Sequence, residues 1–233
     1  MTHFIADIWD FCFPRYCLLC GKRLSTCEQA VCVGCLDSLP RTGAHDVAQN
    51  RIEQMFWGLL PIERATSLLY YTAAETHSIV HTTKYHRRPL VGEYVAYVLT
   101  KEIAASGFFD GIDMIIPMPI HWHRRLDRGY NQSEYIARGI SRATGLPVQR
   151  EAVRRIVDTE SQTRLSHMAR RENVKEAFSL IHPELVEGRH LLIVDDVITT
   201  GATVRELGLE LAKAAGVKLS VMSMALSDAS IIV

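Results

Sequence analysis

The stretch Leu191-Leu-Ile-Val-Asp195-Asp196-Val-Ile-Thr199-Thr200-Gly201-Ala202-Thr203 limits what this chain can become more than any other. Its first residues are apolar and partly β-branched, the composition of a strand buried on both faces of a parallel sheet. Two adjacent carboxylates follow, then a Thr/Gly turn, then a helical pattern over 204–215. A strand, a tight turn and a helix N-terminus bring unpaired backbone N–H groups to one point, which suits a phosphate. Gly201 permits the unusual backbone angles such a loop needs. Thr199, Thr200 and Thr203 add hydroxyl donors. Two carboxylates beside a phosphate repel it unless sugar hydroxyls or a Mg²⁺ stand between them. An ordinary strand ending in a helix cap explains one Asp or one Thr. It does not explain two acids followed by Thr-Thr-Gly-Ala-Thr, and a P-loop would need Gly-Lys-Ser/Thr.

A second constraint lies near the N-terminus. Cys17-Leu-Leu-Cys20-Gly21 and Cys32-Val-Gly-Cys35 are two C-x-x-C pairs. Each pair puts two thiolates on one tight knuckle, and two knuckles complete a tetrahedral all-sulfur site for Zn²⁺. Four thiolates leave no open position, so such a site is structural, and a segment this short needs a staple of that kind. Small buried thiols without metal are the plain alternative. Cys12 reads as a packed residue and Cys27 as a loop thiol.

Composition narrows the setting. The 26 basic and 26 acidic residues cancel, so any nucleic-acid partner must use a local patch. No apolar run approaches the roughly 20 residues that span a bilayer, and residues 1–7 lack the pattern of a secretory signal. A cytoplasmic protein without membrane insertion is expected, in which cysteines serve as thiols or metal ligands.

Strand patterns over 65–71, 113–119 and 217–225 alternate with helical patterns over 74–85, 90–105 and 133–143. That alternation predicts an α/β fold, a parallel sheet flanked by helices. Leu146-Pro-Val148 and residues 152–157 read as short strands. The helix over 74–85 ends in Lys84, Tyr85, His86, Arg87 and Arg88; cations there complement the helix dipole or meet a polyphosphate, and both readings stay open for Lys84. Residues 121–132 read as a basic, aromatic-bearing loop at a strand's C-terminal end, where open α/β sheets bind ligands. Residues 158–175 are polar and read as a solvated loop or a lid.

Val194–Thr203 resembles the PRPP-binding signature of type I phosphoribosyltransferases. By that resemblance Asp195 and Asp196 face the ribose 2′- and 3′-hydroxyls, and Thr199, Thr200, Gly201, Ala202 and Thr203 wrap the 5′-phosphate. Nearly the whole chain is similar to the ComF family, phosphoribosyltransferase-like proteins associated with natural competence and DNA uptake. The resemblance is carried by Phe13-Pro14 with the four paired cysteines, Leu39-Pro40, Thr83-Lys84-Tyr85 and Ile116-Pro-Met-Pro119. It continues through Arg128-Gly-Tyr-Asn-Gln132, Gln162, Arg171-Glu-Asn-Val-Lys-Glu-Ala-Phe178 and the signature itself. The resemblance implies a zinc ribbon over 1–42, a linker over 43–64 and a phosphoribosyltransferase-like domain over 65–233. Mg²⁺ would accompany PRPP. Lys84, Arg124, Arg128 and Arg171 would contact its pyrophosphate, and 158–175 would cover it. The family often has a further basic residue where His123 stands, which would make the charge of that loop pH-dependent here.

Three functions remain open. One is a PRPP-binding protein of DNA uptake or handling, associated with other competence proteins. It would hold single-stranded DNA on its arginines, with Trp122 and Tyr130 as stacking faces. The second is an active phosphoribosyltransferase on an unknown nucleobase or amine, for which no catalytic base can be named. The third is a regulator that senses PRPP without turnover.

Overall fold

The computed structural model describes residues 14–85, 88–157 and 177–227. Four parallel strands form its central sheet: β1 (Arg64–Tyr70), β2 (Met114–Pro117), β5 (His190–Ile198) and β6 (Lys218–Leu226), in the order β1-β6-β5-β2. A bridge between Ile115 and Val148 extends the β2 edge by one more parallel partner. β3 (Val153–Arg155) and β4 (Phe178–Leu180) form a separate antiparallel ribbon. The chain leaves β2 toward the Val148 edge and returns to β5 on β2's other side. A crevice therefore opens between the C-terminal ends of β2 and β5, as happens wherever strand order reverses.

Alternation along the strands explains why both faces are covered. Leu192 and Val194 of β5, Ile115 of β2 and Met222 of β6 belong to one buried cluster. Leu191 and Ile193, Ile116 and Val221, each one residue away, belong to the other. The first cluster is completed by α3 (Ala74–Tyr85), α4 (Pro89–Ile103) and α6 (Gln132–Thr144). The second is completed by α7 (Ala202–Leu211) and by the segment around the short α2 (Arg51–Gln54). Ile52, Phe56 and Leu60, in the stretch expected to be a linker, are each at most 4% exposed.

The cysteine segment docks on the first face. Its short helix α1 (Val33–Asp37) contributes Leu36, and Cys17, Leu24, Val31 and Leu39 join Val91, Tyr94 and Val95 in the same cluster. Arg41 forks onto Glu102 of α4 at 2.6 and 2.8 Å and also donates to the carbonyls of Leu36 and Leu39. Pro40 and Thr42 exchange backbone bonds with β1, covering that sheet edge.

One expectation is corrected. Residues 121–132 are not a loop throughout: Trp122–Arg128 is a helix, α5, closed by Gly129 at φ 81°. The segment contains no Gly or Pro before that stop, so nothing in its backbone resists a helical turn.

Candidate functional site

Asp195 and Asp196 stand at the C-terminal end of β5 and are buried, 9% and 7% exposed. The ladder to β6 pairs Asp195 with Ser223 and Val197 with Ala225. Around them, side-chain carboxylates capture backbone donors: Asp196 N–H donates to Asp195 Oδ1 at 2.8 Å, and Val197 N–H to Asp196 Oδ1 at 2.7 Å. Asp196 Oδ2 lies 3.1 Å from Lys84 Nζ, yet this buried oxygen accepts no aligned hydrogen bond. Burial, then the charge of Asp196, pushes the Asp195 carboxyl up to about 7, against the opposing pull of the Asp196 N–H, Lys84 and the Ser133 hydroxyl at 3.4 Å. The pair thus holds acceptor capacity that its protein surroundings leave partly unused.

The turn that follows matches an anion cradle. Gly201 caps α7 in the left-handed region at φ 71°, with no side-chain cap on the helix. A β-carbon there would sit 3.0 Å from Phe56, so both conformation and space favour glycine. Thr199, Thr200 and Ala202 are exposed, and Ala202 N–H reaches Thr200 Oγ1 only at 3.4 Å. The N–H groups of the first turn of α7 therefore face an open surface.

Lys84 reaches the acids because the end of α3 is clamped. The buried Tyr130 hydroxyl donates to Thr83 O at 2.5 Å. Next in the chain, Asn131 accepts from Ser133 N–H at 3.0 Å, capping α6, and donates to Met118 O at 2.9 Å. The Arg-Gly-Tyr-Asn-Gln run thereby locks α3, β2 and α6 into one frame. Tyr130 is accordingly a buried strut and not a stacking face, whereas Trp122 is 59% exposed.

The remaining cations sit around this frame. Arg128 is half-buried, lies over the Tyr85 ring at 5.3 Å and donates to Gln132 Oε1 at 3.1 Å. Arg124 is half-buried in α5. Arg171, and the whole 158–175 stretch, lie outside the described residues. The sequence reading missed Ser133 beside Asp195, and Glu134, buried and 3.0 Å from Arg125. Asn131-x-x-Glu134 is a helix-start signature that could have flagged both.

In the cysteine segment, the Sγ atoms of Cys17, Cys20, Cys32 and Cys35 lie within 4.8 Å of one another. Cys20 Sγ and Cys32 Sγ are 3.7 Å apart, close to the edge of a tetrahedron with zinc–sulfur bonds of about 2.3 Å. Burial pushes the Cys17 thiol up, but backbone donors from Cys20, Cys32 and Leu19 outweigh it and bring it down to about 6. Cys35 is pushed up by burial and by the neighbouring thiols, so without a cation the four sulfurs cannot all ionise. Gly21, at φ 69°, returns its N–H to Cys17 O and closes the first knuckle. These four residues could hold a metal ion, and all-sulfur chemistry suits structural zinc. Cys27 is exposed and outside the cluster; Cys12 lies outside the described residues.

Comparison with known proteins sets these features in a family. The chain is 32% identical over 194 residues to the DNA utilization protein YhgH of Escherichia coli O157:H7, covering 82% of this chain and 81% of that protein. It is 29% identical over 226 residues to Competence protein F of Haemophilus influenzae, covering 91% of this chain and 85% of that one. The chain belongs to the ComF family. No family model matches it. Among solved structures, the allosteric regulatory enzyme of purine biosynthesis is similar to this ComF-family chain at 22% identity and a TM-score of 0.38. That match covers 61% of this chain and 30% of the enzyme. Among the described residues, no helix is long and apolar enough to cross a membrane.

Two outcomes follow from this ComF-family geometry. Replacing Cys17 and Cys20 by Ser should lower the metal content from about one zinc per chain toward none. Full zinc retention in that variant contradicts the four-sulfur ligand set. The second outcome concerns pH. A folded Asp195 near 7, against an ordinary value of 3.8, keeps a proton that the unfolded chain has already lost. Its ionisation therefore costs no stability at low pH and costs progressively more from about pH 4 to pH 7. In the unliganded protein, Asp195→Asn should raise the melting temperature more at about pH 7.5 than at about pH 5. An equal shift at both values contradicts the raised carboxyl.

Proposed function

We propose that this protein binds PRPP at the C-terminal end of β5, in the service of DNA uptake or handling. The observation that carries the reading is the buried Asp195–Asp196 pair, short of donors, set directly before an uncapped helix N-terminus. A ribose diol supplies two O–H donors to the carboxylates. A phosphate one sugar carbon away finds the first-turn N–H groups of α7 and the hydroxyls of Thr199, Thr200 and Thr203, where the helix dipole favours negative charge. Gly201 and Ala202 leave space for it. A ligand with both groups on one pentose satisfies both halves of the site at once.

The residues also fit an oxygen-seeking cation, because Asp196 Oδ2 is buried beside a second carboxylate and, among the described residues, is ion-paired with Lys84 alone. Mg²⁺, held by Asp195 and Asp196 together with ligand oxygens, would neutralise charge on the pyrophosphate. Lys84 balances Asp196 and stands within reach of a polyanion entering beside it. Arg128 on α5 lies beside Lys84 and Tyr85, and Arg124 and Arg171 are proposed with it as further contacts. Single-stranded DNA is the second partner of this reading, with the arginines of α5 for its phosphates and Trp122 for a base. The names of the relatives, DNA utilization protein and competence protein, support that setting. A cytoplasmic location and association with other competence proteins belong to the same proposal.

Calorimetry with PRPP and Mg²⁺ tests the central part. Wild type should bind in the micromolar range, about −8 kcal/mol, and an Asp195→Asn, Asp196→Asn variant should lose at least about tenfold. Absent binding in wild type, or undiminished binding in the variant, removes the reading. Pyrophosphate release with added bases or amines then separates a transferase from a protein that only senses PRPP. For the DNA part, filter binding should show single-strand affinity that weakens as salt rises, and no binding at low salt would eliminate it.

A further inference from the structure

A cavity of about 530 Å³ opens at the outer edge of the sheet, past β2. None of residues 195–203 lines it; it lies beside the crevice at the end of β5, with Pro117 of β2 shared between the cavity wall and the strand that pairs with Val194. Its apolar floor includes Ile116 and Val153, both buried. Its mouth carries the exposed indole of Trp122.

The charge of the lining is unbalanced. Arg125, Arg150, Arg154 and Arg155 line the cavity, with Glu134 as the single carboxylate of the lining among the described residues. Glu134 is held by Arg125 at 3.0 Å and faces Arg150 at 3.9 Å. Arg155 is spread over the Phe178 ring at 5.4 Å and donates to Val157 O. Arg154 makes no ion pair among the described residues and is exposed. One carboxylate against four guanidinium groups leaves a surplus of positive charge around a partly apolar space. Guanidinium forks match phosphate oxygens, and an indole at the rim matches a planar ring. The volume falls within the roughly 300–1,000 Å³ typical of small-molecule sites.

We propose that this cavity is a nucleotide site, taking the ring against Trp122 and the phosphate against Arg150 and Arg154. Buried Glu134 stands ready to accept from a ring N–H or an exocyclic amine. The ligand is a free nucleotide or the 5′-phosphorylated end of a single strand, which offer the same chemistry. This proposal does not rest on PRPP binding at Asp195 and Asp196. The cavity adjoins the β5 site through Asn131, which borders the cavity and caps the helix that bears Ser133, and through Pro117, whose strand pairs with β5 at Val194.

Calorimetric titration with AMP tests the proposal, run in the Asp195→Asn, Asp196→Asn background so that a ribose 5′-phosphate at β5 does not contribute, with adenosine as the ring-only control. AMP should saturate, and adenosine should bind at least about tenfold more weakly, since one charge-assisted contact is worth about that factor. Arg150→Ala with Arg154→Ala should weaken AMP at least about tenfold, and both side chains are exposed enough to be removed without unfolding the chain. Trp122→Ala should weaken AMP as well. AMP affinity should survive in the Asp195→Asn, Asp196→Asn variant, which distinguishes this cavity from a ribose phosphate bound at β5. A 5′-phosphorylated oligonucleotide that outcompetes AMP, where its 5′-hydroxyl counterpart does not, identifies a strand end; AMP binding without that competition identifies the free nucleotide. Three results overturn the proposal. They are no saturable AMP binding, AMP binding unaffected by loss of Arg150 and Arg154, and AMP binding abolished by the Asp195, Asp196 substitutions.

Discussion

Two carboxylates side by side in a buried position repel each other, and the fold around the end of β5 is arranged to bear that repulsion. Burial first, and then the charge of Asp196, pushes the Asp195 carboxyl up to about 7, while Asp196 pairs with Lys84 at 3.1 Å. Each carboxylate also bends back to a neighbouring N–H, just past Val194, where the ladder of β5 to β2 ends. Such an arrangement costs stability in the empty protein, as strained and desolvated groups at functional sites commonly do. It becomes intelligible when a ligand brings donors or a cation into the crevice.

Much of the rest of the structure serves to deliver Lys84 and the α7 N-terminus to that place. Tyr130 pins the end of α3, and Asn131 joins β2 to the start of α6. Phe56, from the stretch ahead of β1, packs beneath Gly201 and shapes the turn before α7. The cysteine cluster supports the same frame. Its segment shares a buried cluster with α4, and Arg41 ties it to Glu102. Zinc there would hold a wall of the main core as well as its own knuckles.

The parts legible in the sequence were those with strong local signals. The helix over 74–85 and the strand leading into Asp195 stand where their periodicity and composition put them. The two cysteine pairs come together as their spacing implied. Local signals failed where a tertiary partner decides. Trp122–Arg128 has no apolar stripe, so its helix could not be read from periodicity. Lys84 could have been a simple helix-end cation, and its place beside Asp196 depends on strands far apart in sequence packing next to each other. Tyr130 read as an aromatic face because nothing in sequence shows that its hydroxyl finds Thr83 O inside the protein. Glu134 and its arginines became a feature only once the β2 edge and β3 enclosed a cavity between them.

A crystal structure of the protein grown with PRPP and Mg²⁺ tests the central claim most directly. The account predicts ribose hydroxyl oxygens within about 3 Å of the carboxylates of Asp195 and Asp196, with the 5′-phosphate on the backbone N–H groups that open α7. PRPP seated elsewhere, or a crevice that stays empty at saturating ligand, would contradict it.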